Sequence, residues 1–180
     1  MNIFFLDKDP RLAAEYHCDK HVVKMILESA QLLSTAHRLL DGQMYIEQKA
    51  TTGRNVKRWR LNDEREKVLY GVTHINHPSA VWSRSNIDHY RYLYDLFVYL
   101  MDEYTYRYGK VHKCTTLAKY LSSPPFNLND YTQTPILCAM DKKFIISENG
   151  VENYRNYYIM GKKHLAKWTK RSPPEWYIQN

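Results

Sequence analysis

The chain has 6 glycines in 180 residues, which argues against a loop-rich β-fold. Its three cysteines, Cys18, Cys114 and Cys138, show no paired spacing. No disulfide scaffold is expected, and a reducing cytosolic compartment is, the host cytoplasm if the chain is viral. The apolar opening from Asn2 to Leu6 is far too short for a signal sequence or a membrane span, so no membrane partner is expected. Internal repeats and low-complexity tracts are lacking. So are a glycine-rich phosphate loop, a Rossmann glycine signature and a kinase signature, which sets aside ATP- or NAD-dependent catalysis and leaves no cofactor to expect.

What the chain does contain is apolar and aromatic. Hydrophobic residues make up 44% of it, enough for a real core, and 16 of its residues are tyrosines. A tyrosine ring can pack in a core or serve as a stacking platform for bases. The formal net charge of +7 favours an anionic partner, with nucleic acid, DNA above all, as the first candidate. The length suits one domain. The expected fold is mainly α: a single compact helical domain over residues 1–180, with a short N-terminal extended segment. Residues 43–67 form a polar basic excursion, and residues 151–180 a basic-aromatic C-terminal helix and tail.

The organising stretch runs from Asp9 to Leu40. Asp9 can cap free N–H groups, Pro10 fits the first helical position, and Asp41-Gly42 supplies a stop. The spacing fits one long rod or a bent pair of helices. At 100° per residue, His17, His21, Lys24, Glu28, Gln31 and Thr35 fall on one narrow stripe of an otherwise apolar cylinder. Buried polar groups need partners, so this seam is expected to face a cleft or a network rather than bulk water. Its bland counterpart is a solvated face carrying two histidines.

Further along, Arg54, Lys57, Arg58 and Arg60 cluster around Trp59, a pattern that suits phosphates with a stacking ring nearby. A mobile surface excursion explains the same residues equally well. His77-Pro78-Ser79 breaks the chain and starts a helical pattern that runs to about Tyr108 and ends at Gly109. A short helix is expected from Thr115 to Leu121. Proline-containing breaks flank a loop at Asn127 to Asp130, which suits a lid or a rim. A last helix is expected from Val151 to Trp168, with Gly161 weakening its middle. This basic-aromatic end carries Tyr154, Arg155, Lys162, Lys163 and Trp168, and a nucleic-acid face is preferred there over hydrated lysines on a packing helix.

Several chemistries fit these residues. His17 and His21, one turn apart, suit two ligands of one metal ion, but the glutamate of a zinc-protease motif is missing and Cys18 stands in its place. No metal site is expected. His17, His21 and His77 could supply the acid and base of a phosphodiesterase. Lys24, among histidines and Glu28, could act as an amine nucleophile, with Glu28 stabilising a cationic sugar-like transition state. Taken alone, Lys24 and Glu28 are an ordinary helical ion pair.

The opening MNIFFLDKDPRLAAEYHCDKHVVKMILESAQLLSTAHR, followed by THINHPSAVWSRSN and EYTYRYGKVHK, resembles a group of small phage-encoded proteins. The plan is also similar to the pyrimidine-dimer DNA glycosylases, loosely over the first two-thirds of the chain: a short N-terminal segment, a buried helix bearing a glutamate, an internal His-Pro loop entering another helix, and an aromatic-basic end. The resemblance implies a small, largely helical, cofactor-free enzyme that removes a damaged pyrimidine and nicks the abasic strand through an imine. Those enzymes use an α-amine exposed by loss of the initiator methionine before a small residue. Here Met1 precedes the bulky Asn2 and is expected to be retained. The nucleophile is then the Met1 amine, Lys24, or absent, in which case the scaffold would serve other work such as transfer chemistry on hypermodified bases.

The leading expectation is a DNA glycosylase/lyase-like or base-modifying enzyme. Its catalytic carboxylate would be Glu28, with His17, His21 and Lys24 around the reacting sugar or base. His77 and Arg84 would contact phosphate or a base edge. Arg54, Arg58, Tyr154, Arg155, Lys162, Lys163 and Trp168 would hold the strand. Two alternatives are a metal- or His-dependent nucleotide or phosphodiester hydrolase, and a non-catalytic phage inhibitor or binding protein.

Overall fold

In the computed structural model, which describes residues 1–129 and 135–179, the N-terminal segment is extended and threads the core. Ile3, Phe4, Phe5 and Leu6 are all buried. Phe4 stacks on His21, and Phe5 lies parallel to Tyr92 and edge-on to Trp82. Four consecutive apolar residues suit such a segment, which is buried on every side rather than on alternate faces.

The organising stretch is a bent pair. Helix α1 spans Pro10–Tyr16, with Asp9 accepting from the Arg11 N–H at 2.8 Å and Pro10 at its first position. His17 and Cys18 are extended, and helix α2 then runs Asp19–Asp41. The elbow is locked by Arg107, whose guanidinium donates to the carbonyls of His17 and Glu15 and to the Asp19 carboxylate. These partners are read only in three dimensions, which is why periodicity alone left one rod and a bent pair both open.

Residues 43–67 are not merely an excursion. They form the antiparallel strands β1 (Gln43–Gln48) and β2 (Asn55–Arg60), pairing Gln43 with Arg60 through Gln48 with Asn55, and then a 3-10 turn at Glu64–Lys67. Gly53 takes the left-handed conformation that the turn requires, with φ at +65°. The fold is mostly α, as expected, and the expected helical domain also carries a two-stranded hairpin.

The expected helix from Ser79 to Tyr108 is two helices, α3 (Pro78–Ser83) and α4 (Ile87–Tyr108). Asn86 caps the second through the His89 N–H, and Gly109 ends it with φ at +64°. Helices α1 and α2 both pack on α4. A 3-10 turn at Lys113–Leu117 leads into α5 (Ala118–Leu121). Helix α6 covers Gly150–Gly161, so the expected helix to Trp168 stops at Gly161, and a 3-10 turn and the short α7 (Glu175–Ile178) follow. Part of the expected lid region, residues 130–134, lies outside the described residues. Among those described, no helix is long and apolar enough to cross a membrane.

Candidate active site

The polar seam of α2 divides into three. At its N-terminal end His17 and His21 are buried, not exposed in a cleft. His17 Nδ1 donates to the Ala13 carbonyl at 2.6 Å, and His21 Nδ1 is bonded to the Tyr158 hydroxyl. Burial is the main reason both are held neutral, His17 at a pKa of about 4 and His21 at about 3. Their ring centroids lie 6.4 Å apart. Among the described residues no group of three or more His, Cys, Asp or Glu is placed to hold a metal ion.

The middle of the seam is the candidate site. One oxygen of Glu28 lies 3.3 Å from Lys24 Nζ. The other accepts the Asn2 N–H at 2.8 Å and lies 3.8 Å from the Met1 α-amine. The N-terminus is fixed there by the side chain of Asn2. Its Oδ1 accepts from the Ile3 N–H and the Tyr154 hydroxyl, each at 2.8 Å, and its Nδ2 donates to the Ala139 carbonyl at 3.0 Å. The Glu28 carboxylate is nearly buried while Lys24 is two-thirds exposed. Beside them opens a cavity of about 500 Å³ walled by Val23, Leu27, Tyr70, His112 and Cys114, with Lys24, Glu28 and Gln31 on its lining.

His77 belongs to this group. Its Nδ1 accepts the Ser79 N–H at 3.2 Å and so caps α3. In the neutral ring the proton therefore sits on Nε2, which is left as a donor. Its pKa is held below the ordinary value by burial first, then by the Met1 α-ammonium and His74, with Glu28 opposing.

The C-terminal third of the seam is structural. The buried Thr35 hydroxyl accepts the Thr73 N–H at 3.2 Å. Arg38, beside the stripe, donates to the carbonyls of Trp59, Glu66, Leu69 and Tyr70 and to the Glu66 carboxylate. The seam thus holds the hairpin root and the loop that brings His77 to Glu28.

The other expected residues are scattered. Arg84 is half-buried and donates to the Ile75 carbonyl at 2.8 Å, bracing the His77 loop from behind. Tyr154 is fully buried, so its ring faces no strand; its hydroxyl positions Asn2. Arg155 donates to the Leu6 carbonyl and to Asp7, and its guanidinium lies over the Trp176 ring. Trp168 donates to the Tyr16 carbonyl at 3.0 Å. Lys162 lies over Tyr157, and Lys163 is exposed. Arg54 is exposed near the hairpin tip, and Arg58 pairs with Glu47 at 2.8 Å. Asn2 was not singled out as a positioning residue. An asparagine between an initiator methionine and a run of buried apolar residues was its only signal.

Comparisons with protein-family models, with curated proteins and with solved structures returned no match. The functional reading rests on the geometry.

Proposed function

We propose that the chain is a DNA-directed enzyme of the glycosylase/lyase type, acting on a damaged or modified pyrimidine. The observation that carries this reading is an amine pinned beside a nearly buried carboxylate. The Met1 α-amine stands 3.8 Å from Glu28 at the end of an anchored segment. Lys24 is also near Glu28 but sits on an exposed, flexible stem. A nucleophile held in place loses less freedom on attack, which favours the α-amine.

In the reaction, the neutral amine bonds to C1′ of the nucleotide as the bond from C1′ to the base breaks. The bonding pair leaves with the base, which takes up a proton. Glu28 is placed to accept a proton from the amine and to stabilise positive charge developing on the sugar. Opening of the sugar ring, with a proton passing to O4′, leaves an iminium at C1′. Loss of a C2′ proton then expels the 3′ phosphate. The His77 Nε2–H is a candidate donor to the departing base. The base must leave the stack for this attack, and unpaired or damaged bases do so most cheaply.

The test is borohydride trapping on duplexes bearing abasic sites and a panel of damaged and modified pyrimidines. A covalent adduct mapping to residue 1, lost in Glu28→Gln and kept in Lys24→Ala, supports the reading. Adding one residue before Met1 should abolish trapping. No adduct on any substrate, or unchanged trapping in Glu28→Gln, refutes it.

A further inference from the structure

The net charge is unevenly spread. Residues 43–60 carry five lysines and arginines against one glutamate, a net +4 of the chain's +7 in a tenth of its length. This segment is the hairpin. Most of its residues are exposed, Met44 and Ile46 among them. A two-stranded hairpin without a packed face is marginal alone. Here it is held at its root, where Arg38 donates to the Trp59 carbonyl at 2.9 Å. Lys49, Arg54 and Lys57 are exposed and make no ion pair among the described residues.

Strand β2 also forms one wall of an open groove of about 630 Å³. Val56, Lys57 and Trp59 line one side, and residues 72–77, with His74, Asn76 and His77, line the other. The volume lies in the range of small-molecule sites. His77 belongs both to this groove and to the group around Glu28. His74 holds a left-handed backbone, φ +50°, that a non-glycine residue seldom adopts. The groove therefore offers a half-buried indole, an amide and imidazole donors, next to unpaired cations.

We propose that the β1–β2 hairpin and the 72–77 loop form a binding groove for one unstacked nucleotide of a DNA strand, with Trp59 stacking on its base and Lys49, Arg54 and Lys57 on flanking phosphates. The proposal deepens the DNA-directed reading and rests on it. Aromatic stacking accepts any base because every base has a π-face, so the groove supplies hold rather than sequence preference. Its opening toward His77 places the neighbouring sugar on the side of the Met1 amine.

The test is equilibrium binding, by fluorescence anisotropy, to two short DNA duplexes. One is fully paired. The other holds a single nucleotide opposite a reduced abasic-site analogue that cannot form an imine. The wild-type chain is expected to prefer the second. Trp59→Ala should cut that preference about tenfold, while Trp59→Phe, which keeps a ring, retains most of it. Replacing Lys49, Arg54 and Lys57 by serine should lower the slope of log K against log salt by about 2 to 3, near 0.9 for each lost phosphate contact. An unchanged slope in the triple variant, an unchanged preference in Trp59→Ala, or tighter binding to the matching RNA duplex would overturn the proposal. The outcome is independent of the chemistry. Hairpin-dependent binding without any trapped imine sinks the lyase reading alone, and trapping that ignores the hairpin variants sinks the groove alone.

Discussion

Arg107 is the residue on which the bend in the organising helix pair depends. Its guanidinium is fully buried and bonds to Glu103 at 2.8 Å, to Asp19 at 3.0 Å, and to the carbonyls of His17 and Glu15 at 2.8 and 2.9 Å. Arg107→Met keeps an apolar stem of similar length but removes the charge and the fork. Glu103 keeps Arg171, and Asp19 keeps the backbone N–H and hydroxyl of Thr169. Two buried carbonyls lose a donor, and two largely buried carboxylates lose their shared cation. Breaking one side of a buried ion pair costs about 3–5 kcal/mol. For a chain of this length that lowers the melting temperature by roughly 6–20 °C. Arg107→Lys keeps the charge but cannot reach both carbonyls and both carboxylates, so it should fall between. The assay is urea unfolding followed by circular dichroism, with free energies from linear extrapolation. Adding Asp19→Asn to Arg107→Met should recover part of the loss, because Asp19 is the carboxylate left without a cation. A loss below about 1 kcal/mol in Arg107→Met would refute the reasoning, since it lies well under the cost of an unpaired buried charge.

Acid should destabilise the fold well before the carboxylates titrate. His17 and His37 are held at about 4 and His21 at about 3, in each case mainly by burial, with Arg65 adding at His37. The unfolded chain therefore binds more protons as pH falls below about 6.5, and stability drops toward pH 4 at about 1.4 kcal/mol per unit for each histidine that stays neutral. Urea melts at pH 7, 6 and 5 measure this, and a flat profile would contradict it. Gly109→Ala places a Cβ in open space but at φ +64°, so it should cost about 1–2 kcal/mol from backbone strain alone, read in the same melts. Tyr154→Phe removes the hydroxyl that holds Asn2; imine trapping should fall more than stability does, and equal loss of both would make Tyr154 a packing residue only. Lys24→Ala should change stability by no more than about 0.5 kcal/mol, as Lys24 is two-thirds exposed, its pair is at helical spacing, and Glu28 keeps the Asn2 N–H.

The polar seam of α2 was legible because ionisable groups at helical spacing on an apolar cylinder are a local pattern. Its division was not. His17 and His21 look in sequence like Lys24 and Glu28, yet Phe4 and Tyr158, one near the start of the chain and one near its end, close over His21. Arg38 escaped the seam because it lies beside the stripe, about 60° round from Thr35, and most of its partners are backbone carbonyls that carry no side-chain signal. The hairpin escaped as well: β1 is short and almost wholly exposed, and β2, rich in lysine and arginine, alternates over only its first four residues, too briefly to read as a half-buried strand. The breaks at Cys18 and Ser85-Asn86 lack proline and glycine; the first is held by the tertiary partner Arg107, and the second carries the Asn86 cap of α4. Where punctuation was explicit, at Asp9-Pro10, His77-Pro78 and Gly109, the boundaries agree with the structure.

These parts share one scale. Glu28 and Arg38 stand on one continuous helix, about 15 Å apart along its axis at 1.5 Å per residue and about 80° apart around it at 100° per residue. Glu28 holds the amine, and Arg38 holds the hairpin root. A rigid helix of this kind turns two weak contacts into one ordered site, since neither the carboxylate nor the hairpin root can shift along it without breaking backbone hydrogen bonds. It follows that the length of α2 between these residues matters more than the identity of the exposed side chains on it. Deleting one residue there would rotate Glu28 by about 100° relative to Arg38 and should abolish both trapping and hairpin-dependent binding, whereas Lys20→Gln, at an exposed position outside the cavity, should leave both in place.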